Sequence, residues 1–277
     1  MRRALTALLV AVALLVAGCG GGDPAPATTA AAPAPKRLRI IFPEGQNVKE
    51  MGERVAAVRR IAIAKRGVTP KLTRQSYLAA VANARPPKPF LPDWKQGSME
   101  GFLFPALYDF TQFTTGKELV DDQLAAFRRN FARINLTYAK SKNLTPYDVL
   151  KIASMIEKET VAPKERKLVA AVIYNRLRNR MPLGIDATIR YGLNIPGTKS
   201  LTKAAIASDS PYNSRRFPGL PPTPIANPGL ASIKAAAHPA KVDYLYYVRI
   251  PGTTRHFFTA SESEFLRKVC QFGYACN

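Results

Sequence analysis

Two glutamates separated by one residue, in the stretch Tyr147–Thr160 (YDVLKIASMIEKET), are the side chains most capable of doing chemistry in this chain. The stretch predicts one helix. Thr145 is an N-cap, Pro146 suits the first helical position, and Asp148 completes a capping-box pattern. Val149, Ile152, Ala153 and Ile156 share an apolar face, while Lys151, Ser154 and Lys158 lie opposite. Glu157 and Glu159 then sit roughly 200° apart around the axis, on opposite borders of the apolar stripe. A carboxyl at such a border is where desolvation can hold a proton near neutral pH, as general acid catalysis requires. Periodicity does not choose between the two, and both also fit an ordinary solvated helix edge.

The N-terminus bounds the compartment. Arg2 and Arg3 precede an apolar run, Ala4–Val16, too short to span a bilayer. Val16-Ala17-Gly18-Cys19 resembles a bacterial lipobox, so residues 1–19 read as a lipoprotein signal with Cys19 acylated. Residues 20–37, rich in Gly, Ala, Thr and Pro, read as a flexible tether. The expected location is the outer face of the cell membrane, lipid-anchored. Net charge is +22, and +20 without Arg2 and Arg3. Such basicity points to an anionic partner; export excludes nucleic acid and favours wall polymers or headgroups. Cys270 and Cys276, outside the cytosol, are expected to form a small disulfide loop. The sequence shows no metal-ligand spacing and no cofactor motif.

The fold class reads as α+β: a small LysM-like α/β module over 38–92, then a larger mixed helical domain over 93–277 with a short β-hairpin. The module begins with the strand Leu38–Phe42, the turn Pro43-Glu44-Gly45, a helix over Val48–Arg66 and another over Gln75–Ala84. Arg85–Trp94, dense in proline, reads as a linker. Beyond it come helices over Leu119–Lys142, 147–160 and Lys164–Arg180, a proline-rich stretch over 208–228, and a helix over Leu230–Ala237. An aromatic hairpin over Tyr244–Ile250 and His256–Thr259 and a final helix opened by Ser261 close the chain.

Several blocks, in order, resemble the MltG/YceG-like endolytic murein transglycosylases. They are IFPEG (41–45), MEGFLFP (99–105), ASMIEKET (153–160), YNRLRNRMPLGIDATIRYGL (174–193), the proline-rich segment with the following helix (210–248), and HFFT (256–259). The resemblance implies an enzyme that cuts peptidoglycan glycan strands internally, at the MurNAc-β-1,4-GlcNAc bond, leaving 1,6-anhydroMurNAc ends. It implies Glu157 as the acid and then base, with Glu159 a border carboxylate. On the matching blocks it points to Glu100, Asn175, Asp186, Tyr212 and Asn213 as substrate-binding candidates. Asp186 sits in Ile-Asp-Ala where the family usually has Thr-Asp-Pro. Ala106-Leu107-Tyr108 likewise departs from the common Asp-Thr-Tyr. His256 reads as a hairpin histidine donating to backbone. No cofactor is implied. The expected partners are glycan strands, the membrane through the lipid, and peptidoglycan synthases. Alternatives are a non-catalytic glycan-binding lipoprotein and a muramidase with Asp186 activating water.

Overall fold

The structure, a computed structural model, describes residues 34–94 and 97–274. Cys19 and Cys276 lie outside them; Cys270 is disulfide-bonded. The described residues from Pro35 onward form one compact unit, and no helix among them is long and apolar enough to cross a membrane.

Strand β1 (Leu38–Ile41) leads through Glu44-Gly45 into α1 (Val48–Arg66), then α2 (Arg74–Asn83). Asn47 and Thr73 make capping boxes at the two helix starts, and Gly67 in the left-handed region ends α1. The hydrogen-bonded partner of β1 is a strand the sequence reading left out, β2 (Leu107–Phe110), antiparallel with Leu38 opposite Phe110. Alternation is the reason for the pairing: Leu38, Ile40, Tyr108 and Phe110 point inward, while Arg39, Ile41, Leu107 and Asp109 face out. At four residues, β2 is too short for its period to stand out beside the turn-rich MEGFLFP block.

Arg85–Trp94 does not act as a linker. A 3-10 turn over Lys88–Asp93 drives Phe90 into the core at 2% exposure. There it meets Phe102, Phe127 and Phe131, with ring centroids 4.9–5.5 Å apart, and Phe102 stacks on Tyr147 at 5.9 Å. The boundary expected near residue 92 therefore does not divide the molecule.

The helix expected over 119–142 is two: α3 (Gly116–Phe131) and α4 (Thr137–Lys140). Asn135 accepts from the Thr137 N–H at 2.8 Å and so restarts the chain as a new helix. Next come α5 (Pro146–Glu159), α6 (Arg166–Arg178), and two short helices the sequence reading did not place, α7 (Asp186–Gly192) and α8 (Lys203–Ile206). Then α9 (Leu230–Ala237) packs closely on α5, the hairpin β3 (Tyr246–Arg249) and β4 (His256–Thr259) follows, and α10 (Glu262–Gln271) ends the described chain. Helix α5 is the hub. Its residues 149, 150, 152, 153, 155 and 156 are all fully buried, leaving its last turn to carry the glutamates.

Candidate active site

The two glutamates leave α5 in different directions and enter different surroundings. Glu157 has a side chain only 7% exposed and accepts the Gly229 N–H at 2.9 Å, at the start of α9. The Arg166 guanidinium lies 3.9 Å from its other oxygen. Over this site folds the β1–α1 turn. Gly45, at φ +80°, brings its backbone close enough that a Cβ would touch the Glu157 Cγ at 3.4 Å. Glu44 presses its carboxyl onto Gly229, where any Cβ would collide with it. Burial raises the Glu44 pKa, the charge of Glu157 raises it further, and Arg166 opposes both.

Glu159 meets the hairpin instead. The Tyr247 hydroxyl donates to its Oε2 at 2.9 Å. Its residue keeps partial exposure, yet its carboxyl is desolvated, and burial raises its pKa. The Tyr247 bond pulls the other way; the charge of Asp186 raises the pKa, while His256 and Arg215 lower it. The Tyr247 phenol is pushed well up by burial and by Glu159. Behind Tyr247, Arg176 donates to the carbonyls of Leu245 (2.6 Å), Pro182 (3.1 Å) and Leu183 (2.9 Å), locking the hairpin to the 182–185 turn.

His256 corrects the sequence reading. Its backbone N–H and Nδ1 both meet the Glu165 carboxylate, at 3.0 and 2.7 Å, so its ring partner is a buried acid. Glu165, just before α6, shows no periodic signal, which is why the pair was not foreseen.

The remaining candidates divide into two groups. Asn175 on α6 spends its amide on the carbonyls of Val242 and Tyr244, both at 2.9 Å. Asn213, fully buried, donates to Ile206 and Ser208 at 2.8 Å. Both hold loops. Asp186 opens α7 and pairs with Arg215 Nε at 2.6 Å, its charge felt by Glu159. Glu100 and Tyr212 line a cleft of about 650 Å³ between the start of α1 and α7, whose wall also includes Lys158, the residue between the two glutamates. Tyr212 packs edge-on to Tyr191 at 5.2 Å and shares a 2.9 Å hydrogen bond with Thr223. Glu100 is 2% exposed, and burial pushes its pKa up to about 8 even though the Val48 N–H donates to Oε1 at 2.5 Å.

Asn227 was missed although it lies in the matching 210–248 segment. Its side chain accepts from the Leu103 N–H at 2.9 Å and donates to the Gln46 carbonyl at 3.0 Å. It thereby ties the β1–α1 turn, the 99–105 block and the entry to α9 into one frame. Glu44 was equally in view, in IFPEG, but nothing local announces that its turn folds onto α5.

Two carboxylates thus stand at the end of α5 near a cleft. The model of the YceG-like family matches residues 24–271, and the chain belongs to that family. It is 31% identical over 248 residues to an endolytic murein transglycosylase of Streptococcus pneumoniae serotype 2, covering 86% of this chain and 45% of that protein. An endolytic murein transglycosylase of Bacillus subtilis is 37% identical over 150 residues, 54% of this chain and 41% of that one. The chain thus spans less than half the length of these curated relatives. The crystal structure of a yceG-like protein from Listeria monocytogenes superimposes with a TM-score of 0.67 at 28% identity, over 86% of this chain and 76% of that one.

Proposed function

We propose that this protein is an endolytic lytic transglycosylase of peptidoglycan, cutting the MurNAc-β-1,4-GlcNAc bond and leaving 1,6-anhydroMurNAc ends. The relatives' shared description supports the reaction class. For the residue that performs it, the resemblance puts Glu157 first. The observation that carries this choice is a side chain only 7% exposed at the end of α5, accepting the Gly229 N–H at 2.9 Å, with Arg166 3.9 Å away and the Glu44 carboxyl folded against the same glycine.

In the proposed reaction Glu157 gives a proton to the glycosidic oxygen as the C1–O bond breaks through an oxocarbenium-like state. The carboxylate left behind takes the proton of the muramyl C6 hydroxyl as that oxygen bonds to C1. The ring closes, no water is consumed, and Glu157 recovers its proton. The Gly229 N–H holds the carboxyl in place and Arg166 steadies its anion between the two steps. Glu159, held by the Tyr247 hydroxyl, fixes the end of α5 against the hairpin.

A muramidase is the second reading, with Asp186, which meets Arg215 Nε at 2.6 Å, as the carboxylate that activates water. Mass spectrometry of the products distinguishes the two: anhydro ends support the transglycosylase and reducing ends the hydrolase. For location, the lipobox-like Cys19 and the tether support a lipid anchor at the outer membrane face; labelling with a fatty-acid analogue, lost on Cys19→Ala, tests it. The synthase partners and the Cys270–Cys276 loop stand as expectations of the same reading.

A further inference from the structure

A second groove, of about 650 Å³, shares no lining residue with the cleft at Glu100. It lies between β1 and the C-terminal half of α1, and its walls carry Arg37, Arg39, Lys65 and Arg66 against a single acid, Asp109. None of the four cations makes an ion pair among the described residues. Branched aliphatics stand among them. Ile61 on the groove wall is 54% exposed, and Ile41 and Leu107, opposite one another in the β1–β2 ladder, are 48% and 54% exposed. On α1, Arg54, Val58, Ile61 and Lys65 recur every three or four residues and so form one stripe. Arg54 donates from Nε to the Ile41 carbonyl at 3.0 Å and joins that stripe to the strand. We propose that this face docks on an anionic phospholipid membrane, its cations on the headgroup phosphates and its three aliphatics in the interface.

The inference is independent of the cleavage reading and concerns how the molecule is held. Four cations without acidic partners at one groove call for a surface of negative charge, and each is worth about fivefold in binding near an anionic leaflet. A neutral glycan offers them nothing. Asp109 stands opposite Arg39 in the ladder and offsets part of one charge, which leaves the groove with an excess of positive charge. The aliphatics decide between anionic surfaces. A hydrophilic wall polymer would leave Ile41, Ile61 and Leu107 in water, whereas a bilayer interface takes their apolar area out of it. The chain also arrives here: the stretch read as a tether ends at residue 37, and β1 begins at Leu38. This face is therefore where the folded unit meets whatever holds its N-terminus.

The test is co-sedimentation with vesicles of phosphatidylcholine, alone or mixed with phosphatidylglycerol, with melting curves in parallel. The full chain carrying Cys19→Ala is run beside the compact unit from Pro35 onward, which separates binding by the apolar N-terminus from binding by this face. The compact unit is expected to prefer the mixed vesicles by about tenfold or more, and to lose that preference between about 0.1 and about 1 M salt. Arg37→Gln, Arg39→Gln, Lys65→Gln and Arg66→Gln together are expected to weaken binding to the mixed vesicles by about a hundredfold. The same change at Lys203, Lys234, Lys241 and Arg267, exposed cations outside the groove, is expected to cost less than about fivefold. Ile61→Ser with Leu107→Thr is expected to cost about tenfold at unchanged charge. The order of the variants should be the same in the full chain. Should the fourfold groove variant not melt cooperatively, Lys65→Gln with Arg66→Gln, at the exposed end of α1, gives the same reading at about a tenfold loss or more. Equal losses from the two Gln sets, or no preference for phosphatidylglycerol, would overturn the membrane face. So would an Ile61→Ser, Leu107→Thr variant that binds like the wild type; retention of the wild type on polyphosphate would then make an anionic polymer the occupant. A wild type that binds the mixed vesicles as expected yet leaves peptidoglycan uncut would count against the reaction alone.

Discussion

Replacing Glu100 by Gln should change how stability depends on pH, and the structure fixes both sign and scale. Burial moves this carboxyl from 4.5 to about 8, so the folded protein keeps its proton over a range where the unfolded chain has lost it. Protons bound then satisfy νN > νU, and unfolding free energy falls as pH rises from about 4.5 to about 8. Below that window the group is neutral in both states and contributes no slope. The rise from 4.5 to about 8, at about 1.4 kcal/mol per pH unit, sets a ceiling on the order of 5 kcal/mol for the loss across the window. The carboxamide has the same shape, cannot ionise, and can still accept the Val48 N–H through its carbonyl. Urea unfolding of wild type and variant at pH 5 and pH 8 reads the difference. The variant should gain on the wild type by about 2–4 kcal/mol between the two pH values. A gap that stays constant to within about 0.5 kcal/mol would show that Glu100 is ionised in the native state, and the argument from its burial would fail.

Three further substitutions follow from contacts described for single residues. Gly116→Ala puts a Cβ into the Ser76 carbonyl and against the Tyr77 N, at 2.8 Å, where α3 meets α2. Backbone on both sides leaves no side chain to move, so a loss of about 3 kcal/mol or more in urea unfolding is expected. Asn213→Ala strips the Ile206 and Ser208 carbonyls of their donor and should cost about 2–4 kcal/mol, seen as a lower melting temperature. Tyr247→Phe removes the hydroxyl donated to the Glu159 carboxylate and should cost about 1–3 kcal/mol of stability, seen in urea unfolding, while the alkaline limb of the kcat/KM profile stays in place. A moved limb would bring Glu159 into the chemistry.

Helices α1 and α5, which carry capping boxes, and α9, with its apolar run, were legible in the sequence: α1 and α9 fall on their expected bounds, and α5 lies within a residue of them. There the local signal and the packing agree, because Asn47, Thr145 and the apolar stripes each point to one solution. Strand β2 was not legible, since its partner lies some seventy residues earlier and only long-range pairing makes four residues a strand. The 85–94 segment misled for a related reason. Proline marks a break in regular structure, but says nothing about whether Phe90 between the prolines is buried. The site was half legible. Its blocks named the α5 glutamates, Glu100 and Asp186, but the partners that set their electrostatics come from elsewhere. Glu44 and Arg166 reach Glu157, and Tyr247 reaches Glu159, across folds that spacing cannot express.

The most direct measurement of the central claim is digestion of purified peptidoglycan by the wild type, Glu159→Gln and Glu157→Gln, with mass spectrometry of the released strands. The account predicts products with anhydro ends, one water lighter than reducing-ended ones, from the wild type. It predicts none above background from Glu157→Gln, and a smaller, measurable yield from Glu159→Gln, with all three folded. Anhydro products from Glu157→Gln beside an inactive, well-folded Glu159→Gln would move the acid to Glu159. Reducing ends from the wild type would contradict the transglycosylase itself.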